Sequence, residues 1–342
     1  MKTYGDLWPQ ITSYEALYLA YRRARCGKRN SPAMARFSYD LEGQLKTLQR
    51  QLLDETYQPS SYYAFSINDP KPRRIYAAAF RDRVVHHSLV AAIEPIFDAR
   101  MIDDTYACRV GGGTHAALDA LDRHWRLAAK GGPAYVLRID VRRYFFNIDH
   151  AILADMICSR LREGRVIRLV RKIIDSLSTG DAPGIGIPIG NLTSQLFANV
   201  YLSQLDQFAK HTLRIRHYPR YMDDVAILHH DKGQLRAWLM SLRSFLRERL
   251  RLETNQRTTI SPASDGIPWL GWRVLEPGRR RLSRRMVIRA ARRLRNLTND
   301  RREGTCTPQQ FYQRLMAWIA HAEHGSTWQL RDSLFRSIDW SI

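Results

Sequence analysis

Two neighbouring aspartates, Asp223 and Asp224, follow Tyr221 and Met222 between two apolar segments of the chain. The apolar segments predict two strands, so the acidic pair falls in a tight turn at an exposed edge of a sheet. Adjacent carboxylates repel each other at such a place unless a cation neutralises them. Two interpretations fit this motif alone, a metal-binding turn and a solvated Asp-Asp turn.

A third aspartate, Asp140, ends the most regular strand pattern in the sequence, Ala134–Asp140. Alternation along this strand places Asp140 on the opposite face from Leu137 and Ile139. Taken alone, Asp140 also fits the N-cap of a helix, because aromatic residues and Asp149 follow it.

The two motifs are more specific together than apart. Neighbouring strands that carry Asp140 and Asp223 would bring their carboxylates to one point. Two carboxylates are the minimum ligand set for two divalent ions about 4 Å apart, which stabilise the attacking and leaving oxygens of a phosphoryl transfer. Magnesium suits ligands that are all oxygen.

The overall charge points to a polyanionic partner. The chain of 342 residues holds 54 Lys and Arg against 33 Asp and Glu, a formal net charge of +21. Hydrophobic residues make up 44% of the sequence, which excludes a disordered basic tail. Nucleic acid is the first candidate partner and an anionic membrane surface the second. The densest positive block is an arginine run between Arg279 and Arg295.

Other sequence features limit the location of the protein. No apolar stretch reaches the roughly 18 residues of a membrane span, and Met1–Gln10 lacks the apolar run of a signal peptide. The cysteines are far apart in the chain and form no CxxC or Cys/His cluster; they are Cys26, Cys108, Cys158 and Cys306. We therefore expect reduced thiols, no zinc site and a cytoplasmic protein without membrane partners.

Alternating helices and strands must position these motifs. A capping box at Thr12 and Glu15 predicts an N-terminal helix. Apolar spacing predicts further helices at residues 41–52, 81–101, 114–130, 151–178, 192–200, 234–250 and 287–294. Strands are predicted within 61–80, over 134–140, over 213–221 and over 225–229, then a linker over 262–268 and a hairpin over 269–285. This pattern favours an α/β or α+β body with a small basic helical appendage.

The order of motifs along the chain resembles that of reverse transcriptases. The matching blocks, in chain order, are Lys71-Pro72-Arg73-Arg74-Ile75, Arg81 to His86, Tyr106 to His115, Asp140 to Asp149, Tyr221 to Asp224, Trp269 to Trp272, and the arginine-rich tail. The resemblance implies an α+β right-hand polymerase. Fingers and palm would interleave over residues 1–262, and a primer-grip hairpin and basic helical thumb would occupy 263–342.

One loop indicates a subfamily. Related enzymes of introns and retrons carry Gln-Gly and then Ser-Pro in this loop, whereas this chain has Ile189-Gly190 and then Ser194-Gln195. That form, with the run Leu192 to Asn199, is similar to reverse transcriptases of diversity-generating retroelements. The resemblance implies an enzyme that copies a template-repeat RNA into cDNA, misincorporates mainly opposite adenines and so diversifies a target gene. It also implies a small basic accessory protein that forms an oligomer.

The resemblance assigns roles to particular residues. Asp140, Asp223 and Asp224 would be catalytic and, with the backbone carbonyl of Val141, would hold two Mg²⁺ ions, for which Mn²⁺ can substitute. The expected dNTP contacts are Lys71, Arg73, Phe145, Ile189, Gly190 and Gln195. The expected contacts to the RNA template and the cDNA primer–template duplex are Tyr221, Met222, Trp269, Leu270, Gly271, Arg284, Arg285, Arg289, Arg292 and Arg293.

Two of these positions carry specific expectations. A ring at Phe145 would clash with a ribose 2′-OH and so select dNTPs over NTPs. Isoleucine at position 189 can only pack, where a glutamine could hydrogen-bond around the nucleotide, so base discrimination should loosen. Gln195 faces the nucleotide or the template in one interpretation and solvent in the other. For the tryptophans of the hairpin, backbone shape is expected to matter more than the indoles.

Two other functions remain open from the sequence. One is a related bacterial reverse transcriptase that serves antiphage defence. The other is a catalytically inactive RNA-binding scaffold, which the intact aspartates disfavour.

Overall fold

The computed structural model describes residues 2–28, 31–68 and 73–340. Helices dominate these ranges and begin close to the N-terminus. They are α1 (Trp8–Thr12), α2 (Tyr14–Ala24), α3 (Pro32–Tyr39), α4 (Leu41–Leu53), α5 (Phe80–Asp98), α6 (Thr114–Ala128), α7 (His150–Cys158), α8 (Gly164–Ile174), α9 (Leu192–Gln207), α10 (Lys232–Leu250), α11 (Arg284–Arg302), α12 (Pro308–Glu323) and α13 (Trp328–Arg336). No helix in these ranges has both the length and the apolar composition needed to cross a bilayer.

The strands form antiparallel sheets between the helices. They are β1 (Tyr63–Ile67), β2 (Arg73–Ala77), β3 (Tyr135–Asp140), β4 (Arg220–Tyr221), β5 (Asp224–His229), β6 (Thr259–Pro262), β7 (Ile267–Trp269), β8 (Trp272–Glu276) and β9 (Arg279–Leu282). A two-stranded sheet pairs β1 with β2, a central sheet has the order β4-β5-β3-β6, and a third sheet has the order β7-β8-β9.

The central sheet separates two apolar cores. Leu137 and Ile139 of β3 pack into the larger of the two, here called the main core, with residues of α5 and α9. Val136 points to the other face, where the second core lies. This confirms the alternation predicted for β3, and it places Asp140 on the same side of the strand as Val136.

The second core joins the C-terminal elements to the central sheet. Trp125 of α6 and Ala226 of β5 contribute to it, as do Trp269 and Trp272 of the third sheet. The segment 262–268, predicted to be a linker, is instead structured: β6 ends at Pro262 and β7 begins at Ile267, with a 3₁₀ turn between them. Ala263 and Ile267 of this segment are buried in the second core and hold it in place.

Two predicted helix boundaries are wrong. The N-cap of α2 is Ser13, whose hydroxyl accepts a hydrogen bond from the Ala16 backbone N–H, whereas Thr12 ends α1 and its hydroxyl donates to the Trp8 carbonyl. The helix predicted over 151–178 is two helices. The chain leaves helical geometry between Cys158 and Gly164, where Leu161 forms a bridge with Tyr4 near the N-terminus.

The strand predicted over 213–221 is reduced to its last two residues. The chain leaves α9 through a π-helical turn over Phe208–Thr212, and the Ile215 backbone N–H donates to the carbonyl of Ala209. The N–H groups of Leu213 and Ile215 therefore donate to the π-helical turn, at Phe208 and Ala209, and not to a neighbouring strand. The carbonyl of Pro219 accepts a hydrogen bond from the Ala226 N–H of β5. Because Pro219 has no N–H to donate in return, a regular ladder does not form there.

Candidate active site

Three aspartates meet at one end of the central sheet. Asp140, the last residue of β3, pairs directly with Asp224, the first residue of β5. The pairing of Tyr221 with Asp224 makes Met222 and Asp223 the two residues of a tight turn. Met222 has φ +55°, the left-handed conformation that such a turn requires. The register of β3 and β5 thus brings the two predicted acidic motifs together.

The electrostatics at Asp223 show a concentration of negative charge. Burial, and then the charge of Asp224, raise the pKa of Asp223 to about 7, and Asp140 contributes in the same direction. The positive charge of Arg73 at the start of β2 lowers the pKa of Asp223. A cation bound among these carboxylates would favour the ionised form of Asp223.

The donors at this end of the sheet are suited to a hard divalent ion. In residues 2–28, 31–68 and 73–340, no group of three or more His, Cys, Asp or Glu side chains is arranged to hold a metal ion by itself. The oxygen donors are the aspartate carboxylates, together with the carbonyl of Val141, whose side chain is buried in the main core. Mg²⁺ is commonly bound by one or two carboxylates, waters and substrate phosphates, so the residues present fit it.

A buried arginine that we did not assign from the sequence holds the acidic turn. Arg220 is fully buried, and its guanidinium donates to both carboxylate oxygens of Asp206 on α9, at 2.6–2.9 Å. The same group donates to the Met222 carbonyl at 2.9 Å and to Asn199 Oδ1 at 3.2 Å. In the sequence, the only sign of this role is an arginine next to the acidic motif. The role could not be predicted from it, because its partner Asp206 lies on α9.

The loop before α9 is tied to strand β2. The side-chain carbonyl of Asn191 accepts from the Ala78 N–H at 3.0 Å, and its amide donates to the Tyr76 carbonyl at 2.8 Å. The Tyr76 N–H in turn donates to the Ile189 carbonyl at 3.2 Å. Gly190 has φ +107°, and a Cβ there would lie 2.9 Å from Ile75 Cγ2. Only glycine fits this close approach of loop and strand.

Of the predicted nucleotide contacts, Ile189 and Gly190 lie in this junction. Ile189 is half-buried, and Gln195 is exposed on the first turn of α9. Phe145 lies in a 3₁₀ turn, packs partly against the main core, and accepts a hydrogen bond from the Ile187 N–H through its carbonyl. Arg73 is exposed at the start of β2, and Lys71 lies outside the described residues.

The predicted primer contacts differ in their exposure. The side chain of Trp269 is only 3% exposed and fills the second core, so its indole is not available to a primer strand. Leu270 and Gly271, with φ +48° and +86°, form the turn between β7 and β8. Tyr221 packs partly against the second core and Met222 against the main core.

The predicted template–primer arginines lie on α11, which Ser283 caps through its hydroxyl. Those with exposed side chains are Arg284, Arg285, Arg292 and Arg293, while Arg289 is half-buried. One arginine of the same run has a structural role that we did not expect. Arg280 is 6% exposed and forms ion pairs with Asp119 and, at 2.6 Å, with Asp122 on α6. Its charge is therefore matched inside the protein and not by phosphates.

Comparisons with known proteins agree with this geometry. A family model described as reverse transcriptase (RNA-dependent DNA polymerase) matches residues 68–274. Protein YkfC of Escherichia coli (strain K12) is 25% identical over 271 residues, which cover 68% of this chain and 71% of YkfC. Group II intron-encoded protein LtrA of Lactococcus lactis subsp. cremoris is 26% identical over 174 residues, which cover 49% of this chain and 28% of LtrA.

The chain was also compared with solved structures. Telomerase from Candida albicans, in complex with a fragment of telomeric RNA, superposes with a TM-score of 0.49 at 9% identity, over 67% of this chain and 46% of that one. The family match covers more than half of the 342 residues and includes all three aspartates. It confirms the predicted α+β polymerase fold. The chain belongs to the reverse transcriptase family of RNA-dependent DNA polymerases.

Proposed function

We propose that this protein copies RNA into DNA at the end of the central sheet, with Asp140, Asp223 and Asp224 as catalytic residues. The observation that carries the proposal is the register of β3 and β5, which pairs Asp140 with Asp224 and puts Asp223 in the adjoining turn. The primer 3′-OH would attack the α-phosphate of a dNTP, with release of pyrophosphate. Two bound Mg²⁺ ions would supply the stabilisation of charge on the attacking and leaving oxygens.

The residues of the chain hold the reactants in this scheme. Asp140 and Asp223, with the Val141 carbonyl, bind the ions, and Asp224 supports them. Arg73 contacts the triphosphate through charge-assisted hydrogen bonds, as does Lys71. The effect of Arg73 on the pKa of Asp223 supports this placement, because the two charges interact across the site. Phe145 excludes a ribose 2′-OH.

The remaining elements hold the template and primer. In this proposal residues 1–262 are interleaved fingers and palm, and 263–342 are a primer-grip hairpin and thumb. The turn Leu270–Gly271 contacts the primer through its backbone, since the neighbouring indoles are buried. The exposed arginines of α11 contact backbone phosphates, which makes their binding independent of sequence and sensitive to salt.

The finer role we propose is diversification of a target gene. It is supported by the apolar Ile189 and by Gln195, which stand where intron and retron relatives carry Gln and Pro. The enzyme would copy a template-repeat RNA with errors at adenines, in a bacterial cytoplasm and with a small basic accessory protein.

Primer extension tests the reaction class. The full chain is incubated with Mg²⁺, poly-rA annealed to oligo-dT, and either dTTP or UTP. We expect extension with dTTP and at least about tenfold less with UTP, because a clash at the sugar costs more than about 1.4 kcal/mol. Binding of the duplex without any extension, in Mg²⁺ or Mn²⁺, would favour the RNA-binding scaffold.

A further inference from the structure

A cavity lined by positively charged side chains lies at the opposite end of the central sheet from the aspartates. β5 runs from Asp224 in the active site to His229 at this cavity, a span of about 17 Å at roughly 3.4 Å per residue. The cavity has a volume of about 310 Å³. The side chains that characterise it are Arg214, Arg216, His217, His229, His230 and Trp238.

The charges around this cavity are mainly positive. No Asp or Glu occurs among the described residues that line it. The nearby carboxylate of Asp231 caps α10 by accepting from the Gly233 N–H, and Asp104 pairs with Lys210 and His124. Burial, and then the positive charges of neighbours that include His124 and Lys210, lower the pKa of His217 to about 4. The side chains of Arg214 and Arg216 are exposed, and no acidic side chain lines the cavity beside them.

The loop that carries the two arginines is rigidly held. It follows the π-helical turn Phe208–Thr212, a rare element that often marks functional sites. Arg214 has φ +53°, a conformation that costs free energy for a residue with a side chain. Lys210 Nζ donates to the Arg216 carbonyl at 3.0 Å and to the Asp104 carboxylate at 2.8 Å, so the loop is supported from beneath.

Flat rings form the other side of the cavity. The rings of His229 and His230 stack with centroids 4.4 Å apart, and Trp238 meets His229 edge-on at 5.0 Å. The ring of His230 lies directly over Gly131, where a Cβ would come within 2.5 Å of His230 Nδ1. His230 is nevertheless exposed and Trp238 is half-buried, so parts of these rings are accessible to a ligand in the cavity.

We propose that this cavity, here called the distal pocket, binds a single-stranded RNA segment outside the catalytic cleft. Arg214 and Arg216 bind successive phosphates, and a base packs against the accessible parts of the His230 and Trp238 rings. Arginine forks match phosphate geometry, and contact with aromatic rings accepts any base. The cavity combines two exposed cations with a lining of flat rings, and an acidic protein would need the cations but not the rings. The proposal rests on the proposed function only in that RNA is the polymer to be held.

Binding of a short oligonucleotide tests the distal pocket separately from catalysis. The cleft of the full chain is first saturated with an unlabelled, blunt-ended rA·dT duplex, which offers no single strand to the distal pocket, and a fluorescein-labelled 12-nucleotide oligo(rC) is then titrated by anisotropy at several salt concentrations. The double variant R214Q/R216Q should weaken binding about tenfold. It should also reduce the slope of log K against log salt by about 1.4, the value for two phosphate contacts to a single strand.

Matched variants separate specific contacts from overall charge. R36Q/R50Q removes two exposed positive charges from α3 and α4 and should change the oligo(rC) affinity less than twofold. H230A should weaken binding several-fold, about the value of one stacked base, and H230F should restore it. Extension of poly-rA·oligo-dT should be unchanged in every one of these variants.

Three results would overturn the proposal. Equal weakening by R36Q/R50Q would show that only the net charge matters. Unchanged oligo(rC) binding in R214Q/R216Q would leave the cavity to another partner, such as an acidic protein. Loss of poly-rA·oligo-dT extension in R214Q/R216Q would place the arginines in the catalytic cleft. Failure of extension in the unmutated protein would instead count against the proposed function and leave the binding result standing.

Discussion

Arg220 donates a hydrogen bond from Nη1 to the carbonyl of Met222 at 2.9 Å, and this contact supports the turn that carries Asp223. The guanidinium is fully buried and is neutralised by Asp206 on α9. The position of Asp223, the aspartate that we propose to be catalytic, is therefore coupled to an ion pair in the protein core. An arginine suits this role because its planar fork can satisfy a carboxylate and a carbonyl at once.

Substitution of Arg220 should lower both the stability and the activity, and a second substitution at Asp206 should separate the two effects. We expect Arg220→Met to lower the free energy of unfolding by about 3–5 kcal/mol, because Asp206 is left buried without its partner. The double variant Arg220→Met/Asp206→Asn should recover much of that stability, since no uncompensated charge remains. It should not recover primer extension, since the Met222 carbonyl still lacks its donor. Denaturant unfolding and extension assays on both variants measure this, and full activity in the double variant would contradict a positioning role.

Asn191 should control nucleotide affinity through strand β2. Asn191→Asp keeps an acceptor for the Ala78 N–H but places a negative charge beside the Tyr76 carbonyl. The loss of a buried hydrogen bond costs about 1–3 kcal/mol, so the KM for dNTP should rise about tenfold with a smaller change in kcat. Asn299→Asp, on the exposed side of α11, is the control. A changed kcat with an unchanged KM would show that the junction does not hold the nucleotide.

Ile189 should set the accuracy of copying. Ile189→Gln introduces a group that can hydrogen-bond around the incoming nucleotide, so misincorporation opposite template adenine should fall about 2–10-fold, the value of one hydrogen bond. Ile189→Val, which stays apolar, should leave the error rate unchanged. Sequencing of cDNA copied from a defined RNA measures both. An unchanged error rate in Ile189→Gln would remove the main support for a diversification role.

His86 should make the stability of the fold depend on pH. Burial lowers the pKa of His86 to about 4, and both ring nitrogens are buried without a hydrogen-bond partner. The unfolded chain therefore binds a proton between about pH 6.5 and 4 that the folded chain does not, and stability falls as pH falls through this window. Over the whole window this single group accounts for about 3 kcal/mol.

The variant His86→Leu should remove that contribution. The free energy of unfolding, measured by denaturant titration at several pH values from 4 to 7, should fall less steeply with pH in the variant than in the unmutated protein. Identical slopes would show that His86 is not kept neutral by the fold.

Local patterns in the sequence were sufficient to place the acidic motifs and the main strands. Alternation along residues 134–140 identified β3, and two acidic motifs at strand ends predicted that Asp140 and Asp223 would come together; the register pairs Asp140 with Asp224, the neighbour of Asp223. These features depend on a few neighbouring residues. The predicted boundary at residue 262 and the roles of the arginines on α11 stay predictions.

Features that depend on distant partners were not predictable in this way. Arg220 reads as a surface cation until its partner Asp206 is known, and Asn191 reads as a polar helix-start residue until β2 lies beside it. Arg280 was grouped with phosphate-binding arginines because its partners on α6 precede it by more than 150 residues. The strand predicted over 213–221 was too long because the backbone N–H groups at its start donate to a π-helical turn.

Incorporation of a single dTTP opposite an RNA template, compared between Asp223→Asn and the unmutated protein, tests the central claim most directly. The exposed Asp103 supplies the control Asp103→Asn, which makes the same chemical change away from the site. We predict at least about a hundredfold loss of rate in Asp223→Asn, with unchanged duplex affinity and an unfolding midpoint that does not fall, and no loss in Asp103→Asn. Equal rates in Asp223→Asn and the unmutated protein would contradict the assignment of this acidic turn as the catalytic centre.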